Sequence, residues 1–250
     1  MKIDQWGKGA KYWDKAWNPV VGCRKVSEGC QYCYAERMAA RFPELQDASG
    51  GFLPHPPKKP KAPPKKGIVF VGNMTDIFGE WNNPDTAYDW IASLSNDATN
   101  LILTKRPENM LQWDALLYTD SDWLGITGEN QERLEQRLDS FLRVAHPNRW
   151  LSLEPLLGEI CLNSAIANVT CEMDFLGSFK KYFQWVVVGA ESGDKRRPCK
   201  LEWVRLIVQQ CREANVPVFV KQLDIDGKLV SDIDQFPEDL QIRQVPWGEK

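Results

Sequence analysis

The sequence predicts an α/β fold, specifically a partial or compact βα barrel of six to seven parallel strands, with an open doubly wound sheet as the alternative. Three observations carry this. Short runs rich in β-branched and aliphatic residues recur at Ile68–Val71, Leu101–Thr104, Trp123–Thr127, Trp150–Leu153, Trp185–Val188 and Val216–Val220. These runs do not alternate between apolar and polar positions, as strands buried on both faces would not. Between them lie amphipathic helical stretches. Gln131–Val144 sets Leu134, Leu138, Phe141 and Leu142 on one face, and Leu201–Ala214 does the same with Val204, Ile207, Val208 and Cys211. Strand and helix in alternation imply parallel pairing through crossovers. A seventh strand is expected near Trp17–Val21.

A chain of 250 residues with 43% apolar content can fill one large core, so we expect a single domain over residues 1–250. One segment departs from the globular pattern. Ser49–Gly67 holds six prolines and five lysines, a composition that forbids regular helix or central strand. It reads as an extended surface loop, or else as a basic arm that touches phosphates. No window reaches the apolar length of a membrane span. The polar start, residues 1–6, lacks an apolar leader, and a cytoplasmic protein is expected. The net charge of −3 argues against bulk electrostatic capture of nucleic acid, though not against a local basic patch. Trp123, Trp150 and Trp185 open apolar strands and read as core, not as stacking platforms.

In this architecture chemistry belongs at the C-terminal ends of the strands, and polar residues follow each run. Asn73, Thr75 and Asp76 follow the first, Lys105 and Arg106 the second, and Thr127, Glu129 and Asn130 the third. Glu154, Glu191 and Lys221 follow the last three. Any one of these can cap a turn; six in a row outline a polar pocket.

The strongest local pattern is Cys23, Cys30 and Cys33 in a C-x6-C-x2-C arrangement. Seven cysteines suit no paired disulfide framework, and Cys161, Cys171, Cys199 and Cys211 are scattered in apolar or helical contexts. Three thiolates on one loop are soft ligands for zinc or for an iron–sulfur cluster. A structural zinc needs a fourth ligand, and the histidines, His55 and His146, stand at no finger or ribbon spacing. A [4Fe-4S] cluster on three cysteines leaves one iron open to chelate S-adenosyl-L-methionine.

The stretch from Trp17 through Cys23, Cys30, Tyr32 and Cys33 to Glu36 resembles the signature of the bacteriophage and prophage three-Cys-motif family, a domain of unknown function related to the radical S-adenosylmethionine superfamily. The likeness continues through Val69–Asp76, Leu103–Pro107, Gly125–Gln131, Leu151–Gly158, Val187–Gly193 and Val216–Gln222, nearly the whole chain. Ala190 stands where glycine is expected and Asn73 where serine is common. The first cysteine gap is six residues, where three is usual in the superfamily. The resemblance implies a radical-SAM-like barrel, a [4Fe-4S] cluster and S-adenosyl-L-methionine, and a host-cell cytoplasm for a phage-encoded member.

Site roles follow from that implication. Tyr32 would lie near the adenine. Asn73, Thr75 and Asp76 would accept from the methionine ammonium, and Lys105 and Arg106 would hold its carboxylate or a substrate phosphate. Thr127, Glu129 and Asn130 would bind ribose hydroxyls. Glu154 and Glu191 would orient substrate or move protons, and Lys221 would face them or pair with Glu191. The expected activity is base modification of isomerase, lyase or transferase type on a nucleobase, nucleotide or modified phage DNA base, with an external electron donor. Two rival readings remain: a non-catalytic, zinc-stabilised protein that binds nucleic acid or a partner, and a barrel enzyme of acid–base type working through Glu129, Glu154 and Glu191.

Overall fold

The computed structural model describes residues 11–112, 118–170 and 175–247. The polar start at residues 1–6 and Cys171 lie outside them. The chain divides into two compact units. The first comprises Trp13–Ile126 and Arg143–Asn148; the second comprises Thr127–Leu142 and the chain from Arg149 onward, together with Tyr12.

The first unit carries β1 (Lys15–Trp17), β2 (Gly67–Val71), β3 (Ala98–Thr104) and β4 (Asp122–Thr127), each parallel to the next. Helix α1 (Tyr34–Arg41) follows β1, α2 (Pro84–Ala92) joins β2 to β3, and α3 (Pro107–Met110) joins β3 to β4. Helix α2 begins where Asn83 accepts from the Asp85 backbone N–H and Pro84 supplies a preset φ.

The second unit carries β5 (Arg149–Leu153), β6 (Trp185–Gly189) and β7 (Val218–Ile225), again parallel, and β8 (Lys228–Val230), antiparallel to β7. Its helices are α4 (Gln131–Leu142), α5 (Leu162–Thr170), α6 (Phe175–Tyr182) and α7 (Leu201–Glu213). In each unit the strand order is that of the sequence. A doubly wound sheet reverses its order at a switch point, and neither unit does.

The apolar runs became strands because they are buried on both faces. Val69, Leu101, Ile102, Leu124, Leu151, Val186 and Val187 are all fully buried. Trp150 and Trp185 are core residues, and Trp123 is nearly so. Around Tyr12, Trp150, Trp185 and Phe219 meet edge to face at centroid distances of 6.1, 5.3 and 5.4 Å, a geometry that adds to the burial of each ring.

Two strand ends that bear on the site differ from the sequence reading. The first strand ends at Trp17, earlier than Val21, which instead forms an isolated bridge with His55. Strand β7 runs past Val220, so Lys221 and Gln222 lie within a strand and not beyond one. The cause is a hairpin that the reading missed: Asp226 and Gly227 both take positive φ, and Ile225 faces Lys228 across a two-residue turn. Among the described residues no helix is long and apolar enough to cross a membrane.

Tyr12 touches three rings from outside the strands. Tyr12→Ala is expected to lower stability by about 3–5 kcal/mol, the usual cost of emptying an aromatic core position, read as a shifted urea midpoint with an unchanged slope.

Candidate functional site

The cysteine loop leaves β1 and is bound along its length to the turn that ends β2. Asn18 donates from Nδ2 to Asn73 Oδ1 at 2.8 Å, and its own Oδ1 accepts from the Met74 N–H at 2.9 Å. Thr75 Oγ1 donates to the Gly22 carbonyl at 2.7 Å, and the Tyr34 hydroxyl donates to the Asn73 carbonyl. On its other side the loop meets the proline-rich segment, where the Cys23 N–H donates to the Phe52 carbonyl at 3.0 Å. Gly22 sits at φ +93°, and a Cβ there would lie 2.2 Å from the Leu53 carbonyl oxygen, so this position admits no side chain. Cys30 closes a short 3-10 turn (Glu28–Cys30), and Cys33 caps α1. All three thiols are half-buried.

Behind the loop, at the ends of β2 and β3, Asp76 and Arg106 meet out of water, with side chains 8% and 5% exposed. Asp76 accepts from Thr104 Oγ1 at 2.8 and 2.9 Å, the Lys105 N–H at 3.0 Å, the Phe78 N–H at 3.1 Å and Arg106 at 3.3 Å. Arg106 turns its Nε to Glu80 at 2.8 Å and its second terminal nitrogen to the Arg24 carbonyl at 2.9 Å. Its plane lies 4.7 Å from the Trp81 ring centre. One guanidinium thus joins two carboxylates, a ring and the backbone next to Cys23, a use of the planar fork that lysine cannot copy.

The thiols differ in electrostatics. Burial, with the Asp76 charge adding, pushes Cys23 up to about 12, against the pull of Arg106. Its Sγ donates to the Arg24 carbonyl at 3.5 Å. Burial also opposes ionisation of Cys30, but the Lys105 charge, the Val26 and Ser27 backbone and the Ser27 hydroxyl outweigh it and lower that thiol. Cys23 feels the charge of both Cys30 and Cys33, so the three are electrostatic neighbours. Among the described residues no three His, Cys, Asp or Glu side chains gather tightly enough to hold a single metal ion. Three soft thiol donors beside the Lys105 and Arg106 charges are a donor set that suits an iron–sulfur cluster. The scattered cysteines differ: Cys199 and Cys211 are buried and pushed up by desolvation, Cys199 to about 12, and Cys161 is exposed.

Tyr32 is half-buried, its hydroxyl accepting from Gln31 Nε2 at 3.1 Å. The remaining candidates belong to the second unit. Glu129 is fully buried and paired with Arg137, which also donates to the Thr127 carbonyl at 2.6 Å. Asn130 caps α4 by accepting from the Arg133 N–H at 2.9 Å. Glu191 takes Nε of Arg197 at 2.9 Å and the Arg197 N–H at 2.8 Å, so its partner is Arg197, where the sequence had offered Lys221. Lys221 instead lies 3.1 Å from Glu154 Oε1. That contact is an ion pair without hydrogen-bond alignment, and Glu154 Oε1 keeps an unmet acceptor. Gly189 makes room for it, since a Cβ there would stand 2.7 Å from that oxygen.

Sequence reasoning missed Asn18, Glu80, Arg137 and Arg197. Only Arg137 left a signal: it sits among Leu134, Leu138 and Phe141 on the apolar face of α4, where an unpaired cation is costly.

A family model described as protein of unknown function (DUF5131) matches residues 8–231. No curated protein and no solved structure matches the chain.

Arg106→Met should destabilise by about 3–5 kcal/mol, because it leaves the Asp76 carboxylate buried without its countercharge. The double variant Asp76→Asn/Arg106→Met should recover part of that loss in a chemical-denaturation cycle. Hydrogen exchange in residues 22–33 should rise in the single variant.

Proposed function

We propose that the chain, which belongs to the DUF5131 family of proteins of unknown function, is a radical S-adenosylmethionine enzyme whose Cys23, Cys30 and Cys33 hold a [4Fe-4S] cluster. The observation that carries this reading is the cysteine loop. Three half-buried thiols lie within electrostatic reach of one another, and Lys105 and Arg106 act on them from the end of β3. The parallel strands in sequence order and the likeness to the three-Cys-motif family agree with it. When bound, such a cluster supplies one electron to the sulfonium of S-adenosylmethionine and so gives a 5′-deoxyadenosyl radical.

The chain's own residues have separable tasks. Lys105 and Arg106 offset the negative charge that three thiolates bring together. Asn73, Thr75 and Asp76 are positioning residues: their polar atoms hold the cysteine loop and Arg106, as Asn18, Gly22 and Thr104 show by accepting or returning those bonds. Lys105 is the candidate for the methionine carboxylate. Tyr32, between the second and third cysteines, is the candidate for contact with the adenine. In the second unit Glu129 and Asn130 support α4, and Glu154 pairs with Lys221. An external one-electron donor is required.

Reconstituted without oxygen, the protein should bind about four irons and four sulfides per chain. Added S-adenosylmethionine should alter the paramagnetic resonance of the reduced cluster and yield 5′-deoxyadenosine with methionine. Cys23→Ala, Cys30→Ala and Cys33→Ala should each abolish both results, whereas Cys161→Ala and Cys199→Ala should not. Stoichiometric zinc with no labile sulfide would overturn the assignment. Asp76→Asn should lower cluster retention more than it weakens S-adenosylmethionine binding to the clusters that remain.

A further inference from the structure

Residues 23–66 hold nine Lys and Arg against four Asp and Glu, a net +5 within a chain of net −3. Lys58, Lys59, Lys61, Lys65 and Lys66 are all exposed. The segment that bears them is tied down by its backbone. The His55 and Val21 backbones exchange hydrogen bonds at 2.9 and 2.8 Å, the Lys61 carbonyl accepts from Trp17 Nε1 at 2.7 Å, and the Lys65 carbonyl accepts from Ser95 Oγ at 3.0 Å. Further back, Asp47 gathers the N–H groups of Ser49, Gly51 and Leu53. Lys58 Nζ donates to the Pro43 carbonyl at 2.7 Å, next to Phe42, and the other four lysines stand exposed on a fixed strap, which spares a ligand the entropy of ordering it.

The same stretch is also unusually apolar at its surface. Of the seven large hydrophobic side chains exposed among the described residues, Val26, Tyr34, Met38, Phe42 and Leu53 fall within it. Tyr34, Met38 and Phe42 recur at four-residue spacing along α1 and its C-cap, so they form one strip beginning next to Cys33. Two of the three are aromatic, and Arg41 lies on the same side of the helix.

We infer that this surface of the first unit binds single-stranded nucleic acid, with phosphates on the strap lysines and bases stacked on Tyr34 and Phe42. Cations along a line suit a linear polyanion, and exposed rings beside them suit unpaired bases, every one of which has a π-face. A protein partner is less well served. Pro54, Pro56, Pro57, Pro60, Pro63 and Pro64 remove backbone donors along the strap, so a visiting strand cannot pair with it. The binding surface stands on these observations alone. Only the further step, that a strand held here is the substrate, rests on the radical reading above, because Tyr34 follows Cys33 directly.

Fluorescence anisotropy with a labelled single-stranded DNA of about twelve nucleotides tests this on the full chain, before and after cluster reconstitution. Binding is expected in both states, so a failed cluster and a failed surface remain distinguishable. The logarithm of the affinity should fall with that of salt by about 0.7 for each phosphate neutralised. Replacing all five strap lysines with glutamine should weaken binding at least about tenfold and flatten that slope. Tyr34→Ala and Phe42→Ala should each cost roughly fivefold or more, whereas Phe42→Tyr, which keeps the ring, should bind as wild type. Thermal melts would confirm that each variant folds. Unchanged binding in the five-lysine variant, or tighter binding of the matching duplex, would overturn the proposal. Equal capture of polyglutamate with no effect of the aromatic variants would also overturn it, and would assign the surface to an acidic protein.

Discussion

The Asp76 carboxylate and the Arg106 guanidinium meet at the ends of β2 and β3 with almost no water around them, and the cysteine loop hangs from that contact. Moving each charge out of water costs several kcal/mol, so the pair persists only because its remaining valences are met. Asp76 accepts from a hydroxyl and two backbone N–H groups besides Arg106, while Arg106 reaches Glu80, Trp81 and the Arg24 carbonyl. The last of these bonds matters most for the cysteine loop. It fixes the backbone beside Cys23 to the sheet, so the loop is held from the β3 side as well as by Asn18, Thr75 and Tyr34.

That constraint explains why so much of the polar material at the strand ends supports architecture. A carboxylate at the end of a doubly buried strand sits where water is scarce and must find a partner or stay uncharged. The second unit solves the same problem with arginine each time its carboxylate is buried: Arg137 for Glu129 and Arg197 for Glu191. Glu154 departs from the pattern. Its partner is a lysine at an angle that leaves one oxygen unsatisfied, and that oxygen rests against a glycine. Among the three glutamates singled out by position, it alone pairs with a lysine and not with an arginine.

Particular residues show where the sequence was readable. The strands were legible because an apolar run buried on both faces has a composition that no other environment tolerates, as in Val186, Val187 and Val188. Helices α4 and α7 were legible from their repeating apolar face. The Asp226–Gly227 hairpin was equally readable, since positive φ at two successive positions favours those residue types, yet the polar Lys221 and Gln222 masked the strand leading into it. The three cysteines stood out by chemistry and spacing alone.

Pairing was not readable in that way. Whether Glu191 meets Lys221 or Arg197 depends on a loop returning six residues later, and sequence order says nothing of which cation arrives. The proline-rich segment is similar. Its composition excluded helix and central strand, but only the bridge of His55 to Val21 and the bond from Trp17 to Lys61 made it a fixed strap instead of a loose arm. By itself the sequence determined the strand and helix elements, the thiol triad and the basic, proline-rich stretch, because each depends on local composition or periodicity. Tertiary structure alone decided which charges pair and how the cysteine loop is anchored. Those depend on distances between residues as far apart as Arg24 and Arg106, which only the folded chain brings together.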